Sequence, residues 1–589
     1  MSPIEHLLPL ASASQVSRRP TAAEALRLIE TWSDLSLARR RELAVAVRLL
    51  GRITGRALEA IALAPETLGP AIFGAPAARL GITQGSLYTY RNSLRAVLRR
   101  LGIIDSRAQG SGQFKLEAWT GLLMLAGDRH ATIALTRFAR WCDGRGLAPD
   151  AVTSDVVAEF INDLGARHLV RSPRDHAAAL VRTWNRCTES RPGWPSARLA
   201  LPPTDRRYTL AWQEFPKTLQ ADVTAFHARL TARNRSRFFT AAEGPRQPLR
   251  PATIRRRMDD LRYAAGALVR SGTAPRTVKR LADMLAPDKL AALLDWLDVR
   301  GECQDSAHLG SIAATLQVVA RHHLKLDGVA LQEVEDLLAQ ARPPKQKTMT
   351  EKNAARLRAL ENPRSRAALL HLPTELMRRA QALEAAGQIK RAGWLASIAA
   401  AIEILISCPI RLHNLAHLRI GAHLQRAPLA RAPFTDIIIP EEETKNGVRI
   451  EWPLSADTAR LLATYSQRFR PSIAKPGSDW LFPGRDTPDR PRAPIGFSAA
   501  IAETIEDAIG VRVHPHLFRA LAAAITLEDS PGAIEEVRQQ LGHRTMHTAL
   551  TYYATLNPRA AARRLDERVA RQRKQSRITA GAFFRKGRS

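Results

Sequence analysis

Apolar residues recur along this chain mostly at intervals of three and four, the period of a helix with one face turned inward. Arg39 to Leu50 carries such a pattern. Gly85 to Leu101 carries another, with Leu87, Leu94, Val97, Leu98 and Leu101 as its stripe and Arg91, Arg95, Arg99 and Arg100 largely off it. Residues 131–164 read as helix, glycine-containing turn and second helix, with Thr153 as the N-cap of the second. The run Leu395 to Ile406, broken only by Ser397 and Glu403, predicts a buried helix. Alternation with period two appears clearly once, in Phe434 to Glu441 and Val448 to Pro453 around Lys445-Asn446-Gly447, and predicts a hairpin. The fold class expected is mainly α, multi-domain, with a small β-hairpin or sheet near the C-terminal end.

Breaks in periodicity divide the chain. Residues 1–110 and 111–205 form two helical modules, with a proline-rich, polar linker expected from Arg191 to Tyr208. Residues 206–341 form a third helical set whose basic centre is PLRPATIRRRMDDLRYAAGALVRSG, with Thr253 expected as its cap. A basic linker, 342–352, contains Pro343, Pro344, Lys345 and Lys347. Residues 353–558 form the next domain and 559–589 a basic tail.

Charge narrows the partner. The 589 residues hold 88 Lys and Arg against 56 Asp and Glu, a formal charge of +32. Nucleic acid is the expected partner, because each phosphate that a cation neutralises releases condensed counterions. Arg91, Arg95, Arg255, Arg256, Arg257, Lys345 and Lys347 are the candidate DNA contacts. Four scattered cysteines form neither a Cys-x-x-Cys site nor a dense disulfide framework, so a reducing cytoplasm is expected. No stretch reaches the roughly 20 apolar residues of a membrane span, and the N-terminus does not read as a signal peptide.

The candidate chemistry lies between residues 408 and 553. SCPIRLHNLAHLRI puts Arg411 just past a break at Pro409, and Lys445 stands at the expected hairpin turn. HPHLFR puts His516 and Arg519 three apart on one helical face, where both reach a common anion. QQLGHRTMHTALTYY breaks at Gly542 and carries His543 and Tyr552. Two arginines, a lysine, two histidines and a tyrosine, with no carboxylate cluster beside them, suit phosphoryl transfer onto a tyrosine.

This ordered set resembles the tyrosine recombinase, or phage integrase, family over roughly residues 375–570. The family runs Arg, Lys, His-x-x-Arg, then Leu-Gly-His with the nucleophilic Tyr nine residues on. The matching positions are Arg411, Lys445, His516, Arg519, His543 and Tyr552. The resemblance implies small helical, SAM-like core-binding modules ahead of a mostly helical catalytic domain. It implies site-specific recombination, as by the integrase or resolvase of a mobile element, through a 3′-phosphotyrosine and without metal or ATP. Implied partners are double-stranded recombination sites, a homo-tetramer on two duplexes formed from free monomer or dimer, and accessory recombination proteins. The implied setting is a bacterial cytoplasm, at the nucleoid. The set 206–341 is the first choice for the core-binding domain, and the tail offers Leu565 and Val569 as a docking face toward a neighbouring copy.

Some positions depart from the family. Leu517 and Ala520 stand where an acidic residue and a histidine are common, and Lys445 lies far enough after Arg411 to suggest an insertion around His423 to Pro433. Tyr553 is the rival nucleophile. Alternative readings are a type IB topoisomerase, which relaxes DNA with a similar residue set, and a non-catalytic DNA-binding accessory protein. His413 and His417, at i and i+4, also have the spacing of a zinc pair, but Asn414 replaces the glutamate that would act as base.

Overall fold

The computed structural model describes residues 19–105, 113–202, 208–232, 248–301, 307–343, 349–427, 433–485, 487–530, 532–542 and 558–586. Among the described residues the chain is mainly α with one three-stranded antiparallel sheet. It divides into two compact units, one of residues 1–201 with 347–589 and the other of 202–346. Among the described residues no helix is long and apolar enough to cross a membrane.

The first unit opens with helices α1 (Ala22–Thr31), α2 (Leu37–Thr54), α3 (Pro65–Gly74) and α4 (Gln84–Arg100). Thr21 and Glu24 close a reciprocal capping box on α1, satisfying two end amides that no helical bond reaches. The stripe of α4 is buried as its period requires, Leu87, Leu94, Val97 and Leu98 all facing inward. Helices α5 (Glu117–Leu125), α6 (Arg129–Asp143), α7 (Ser154–Arg167) and α8 (Pro173–Ser190) follow, with Thr153 capping α7. Phe138 is the hub of their core, with ring centroids 6.3 Å from Trp119, 5.1 Å from Phe160 and 6.4 Å from Trp184.

The stretch expected to be a linker after α8 is instead packed as far as residue 201. Trp194 and Leu199 are buried, the Trp184 indole N–H donates to Ala197 O at 2.9 Å, and Asn185 exchanges two hydrogen bonds with the Leu199 backbone. Proline and polar residues broke its periodicity, but main-chain groups held by buried side chains give order without a period. Gly69 in α3 lets the two modules touch: a Cβ there would stand 2.0 Å from Val170 O.

In the second unit, helices α9 (Lys217–Thr231), α10 (Pro251–Arg270), α11 (Pro287–Arg300), α12 (Ala307–Val318) and α13 (Gly328–Gln340) enclose one core around Phe226, Leu261, Leu290 and Ile312. Thr253 does not cap α10, which starts at Pro251 with Arg250 at the N-cap. Proline fits the first helical position, having the right φ and no N–H to satisfy. His323, whose sequence setting reads as helix surface, has a side chain only 13% exposed. It bonds Asp222 at 2.7 Å and packs edge-on against Phe226.

The C-terminal part of the first unit adds α14 (Glu351–Ala359), α15 (Pro363–Ala385) and α16 (Ile389–Ser407). Helix α16, apolar on most sides, is the axis of this core; Ala399, Ala400, Ile402, Ile404 and Leu405 are fully enclosed. After α17 (Leu412–Ala416) come strands β1 (Leu424–Gln425), β2 (Asp436–Ile439) and β3 (Ile450–Pro453), in that spatial order. Asp436 pairs with Pro453 and Ile439 with Ile450. Strand β1 lies where an insertion was expected, and two residues are too few to show alternation in sequence. Helices α18 (Ala456–Thr464), α19 (Pro494–Ile509), α20 (Pro515–Asp529), α21 (Ile534–Gln540) and α22 (Pro558–Lys586) complete the chain.

Candidate functional site

The site is assembled on four local structures. The first is the sharp entry into α17. Arg411 is its N-cap residue, extended at φ −71°, ψ 147°, and the Arg411 carbonyl accepts from Leu415 N at 2.9 Å. Asn414, buried one residue beyond His413, donates from Nδ2 to Glu443 O at 3.0 Å. That bond ties α17 to the connection between β2 and β3.

Lys445 sits on this connection. A tight Asn-Gly turn was expected; the chain instead spans residues 440–449, with a single 3-10 turn at Glu441–Glu443. Gly447 keeps the positive φ, +60°, that made the sequence look like a turn. Lys445 itself is exposed. Thr444 beside it is buried, and Val448 N donates to Thr444 Oγ1 at 3.0 Å. His423 Nδ1 accepts from Arg419 N at 3.1 Å, so Nε2 carries the proton facing Glu443 Oε2, 3.2 Å away.

Helix α20 supplies the third element. Pro515 at its first position fixes the start, which places His516 in the first turn and Arg519 one turn further in. His516 has its pKa lowered from the usual histidine value, first by partial enclosure of the ring, then by the positive charges of Arg519, Arg411 and Lys445. A neutral imidazole beside three cations is the consequence. The neighbouring His514 ring lies parallel to it at 6.5 Å and bonds Asn353 Oδ1 at 3.2 Å. Leu517 and Ala520 are buried in the core, which accounts for apolar residues at both positions.

Arg519 is only 4% exposed. Its guanidinium donates to Pro409 O at 2.7 Å and to Leu541 O at 2.5 Å. One planar fork therefore fixes the break ahead of Arg411 and the end of α21 together, a task for which lysine lacks the geometry. Helix α21 stops at Gly542, whose φ of +56° is the left-handed stop the sequence suggested. Asn446 Nδ2 donates to Gly542 O at 2.8 Å, joining the Lys445 segment to the same point. Sequence reasoning passed over both positioning asparagines: Asn446, next to a glycine, reads first as turn chemistry, and the bond from Asn414 reaches a carbonyl 29 positions away.

His543, Tyr552 and Tyr553 lie outside the described residues, as do Lys345 and Lys347. The His413 and His417 rings lie tilted against each other with centroids 4.1 Å apart, and His417 Nδ1 donates to His413 O at 2.8 Å. Among the described residues, the one group of three or more potential metal ligands drawn together is Asp105, Asp163 and His168, far from this pair in sequence.

The candidate DNA contacts fall in different settings. Arg91 is turned inward, donating to Ile72 O at 2.9 Å and Ala75 O at 3.2 Å, with desolvation lowering its pKa. Arg95 bonds Asn92 Oδ1 at 3.1 Å and lies over the Phe73 ring. Arg256 pairs with buried Asp260 at 3.0 Å, Arg257 is partly buried, and Arg255 is exposed.

No protein-family model matches the chain, and no curated protein matches it. Among solved structures it is similar to one described as the crystal structure of XerA recombinase, at 16% sequence identity and a TM-score of 0.24, over 54% of this chain and 92% of that chain.

Proposed function

We propose that the protein is a site-specific DNA strand transferase that cuts and rejoins DNA through Tyr552. The observation that carries this reading is the company of His516: Arg411, Lys445 and Arg519, three cations from three separate segments, act on one imidazole. Arg519 and Asn446 also hold Leu541 and Gly542, directly ahead of His543. Positive charge converging beside a neutral base is what attack on a phosphodiester needs.

In the proposed reaction Tyr552 Oη attacks phosphorus and the P–O5′ bond breaks. The tyrosine proton passes to His516, whose lowered pKa keeps it able to accept. Arg411 and Arg519 donate to the non-bridging oxygens, His543 adds a further donor, and Lys445 gives its proton to the departing O5′. The product is a 3′-phosphotyrosine and a 5′-hydroxyl. Attack by a 5′-hydroxyl of a partner strand reverses the step, since the bond energy is conserved in the phosphotyrosine.

DNA is the proposed substrate, with Arg255 on α10 exposed to meet its backbone. A tetramer on two duplexes is the proposed assembly, with α22 offering Leu565, 61% exposed, to a neighbour. The test is covalent capture on nicked duplexes taken from the flanks of the protein's own genetic element. A protein–DNA band that forms with wild type and with Tyr553→Phe, but not with Tyr552→Phe, is expected. A band that survives Tyr552→Phe refutes the assignment. Relaxation of a supercoiled plasmid carrying no such flank points to the topoisomerase reading instead.

A further inference from the structure

Ahead of β1 the chain turns back on itself between Arg419 and Leu424. His423 N and Leu424 N both donate to Arg419 O, at 3.0 and 3.1 Å, and His423 O accepts from Ile438 N of β2 at 2.8 Å. Any residue but proline can make these main-chain bonds. The side chain standing there is nevertheless a histidine only 4% exposed, and a buried polar ring costs stability unless its nitrogens are used. Nδ1 takes the Arg419 N–H at 3.1 Å, which leaves the proton on Nε2, and Nε2 lies 3.2 Å from Glu443 Oε2.

Glu443 stands two residues before Lys445. Its carbonyl accepts from Asn414 Nδ2 at 3.0 Å and its N–H donates to Pro440 O at 3.2 Å, while its carboxylate goes to His423. Thr444 follows, 1% exposed, its hydroxyl donating to Glu441 O at 3.0 Å. Beyond Lys445, Asn446 is tied to Gly542 O at 2.8 Å. Lys445 therefore projects as an exposed side chain from a backbone held on both flanks. A carboxylate two positions from an ammonium is a ready ion-pair partner for it, yet the close partner of Glu443 is His423 and not Lys445. The two charges also reach different rings: Lys445 is among the charges acting on His516, Glu443 among those acting on His413.

We propose that His423 and Glu443 are positioning residues for Lys445: the buried imidazole holds the Glu443 carboxylate, which fixes the segment carrying Lys445 and keeps that carboxylate from its ammonium. Their role belongs to the strand-transfer reading above, on which it rests and in which Lys445 protonates the departing O5′. Placement matters steeply there, since a reacting group misplaced by about 1 Å loses on the order of a hundredfold in rate.

The experiment is covalent capture by the full-length protein on two nicked duplexes from the same flanks, one ordinary and one with sulfur replacing the bridging 5′ oxygen at the cut. On the second, Tyr552 Oη bonds to phosphorus, its proton passes to His516, the P–S bond breaks and sulfur leaves with the electron pair as a thiolate. A thiol, of pKa about 8.5 against about 15.7 for water, departs without a proton from an acid. Glu443→Ala removes a side chain 41% exposed, and His423→Asn keeps an acceptor for Arg419 N but falls short of Glu443. Both are expected to slow covalent-complex formation about tenfold or more on the ordinary duplex and to match wild type on the sulfur duplex. Glu442→Ala, at the exposed neighbour, is expected to match wild type on both. If His423→Asn lowers Tm, Glu443→Ala alone decides. Three results overturn the proposal: a wild-type rate for Glu443→Ala on the ordinary duplex, an equal loss on both duplexes, or equal slowing by Glu442→Ala. Lys445→Ala reads the acid separately: rescue by sulfur upholds Lys445 as the acid whatever Glu443 does. A wild-type rate for Lys445→Ala on ordinary DNA, or no Tyr552-dependent band in wild type, refutes the underlying reaction and the positioning role with it.

Discussion

Arg519→Lys separates two roles that one guanidinium combines. The charge is kept, but a lysine ammonium is a single point and reaches one of the two carbonyls, Pro409 O or Leu541 O, that the fork now bridges. At a side chain 4% exposed, water does not replace the lost bond. The abandoned carbonyl forfeits a charge-assisted hydrogen bond of about 1.5–3 kcal/mol. That loss is local, so local opening is the right observable for a chain of several domains. Hydrogen exchange of DNA-free protein is expected to accelerate roughly ten- to hundredfold in peptides covering 408–416 or 534–542, and to stay unchanged in α6. If exchange in both peptides matches wild type while DNA cleavage is lost, Arg519 acts on bound phosphate alone and the bridging argument fails.

Two further outcomes follow from packing and charge. Gly69→Ala forces a Cβ to within 2.0 Å of Val170 O, whereas Gly74→Ala, in the same helix, meets nothing within 4 Å. Thermal melting should show a loss of about 1–3 kcal/mol for the first and none for the second; equal effects refute the close approach. His413, His514 and His516 all have pKa values lowered, each chiefly by desolvation. His417 adds to this at His413, Arg356 at His514 and Arg519 at His516. The unfolded chain therefore takes up protons first as pH falls below the ordinary histidine value of about 6.5. Stability is full above that value and is lost as pH drops toward the folded pKa values. Urea midpoints should be lower at acid pH than at neutral pH, with a shallower dependence in His514→Gln; a flat profile in wild type refutes the assignment.

Much of the architecture was legible in one dimension because helices advertise themselves locally. The stripe of α4, the Thr153 cap, the all-round apolar run of α16 and the stop at Gly542 each depend on neighbours within a few residues. The same holds for His516 and Arg519, which share a face because they stand three positions apart on a helix. Where the physics was long-range, sequence reasoning went astray. The 191–201 stretch is ordered by Trp184 and Asn185, the half-buried His323 by Asp222, and β1 by its pairing with β2.

By itself the sequence determined the helical class, the cationic balance and the order of Arg411, Lys445, His516 and Arg519, since composition, period and order are properties of the chain alone. Tertiary structure decided what those residues face. It turned Arg91 inward to the Ile72 and Ala75 carbonyls, made Arg519 a clamp between Pro409 and Leu541, and brought Asn446 to Gly542 across 96 positions of chain. A hydrogen bond is set by distance in space, and no periodicity encodes a partner that far along the chain.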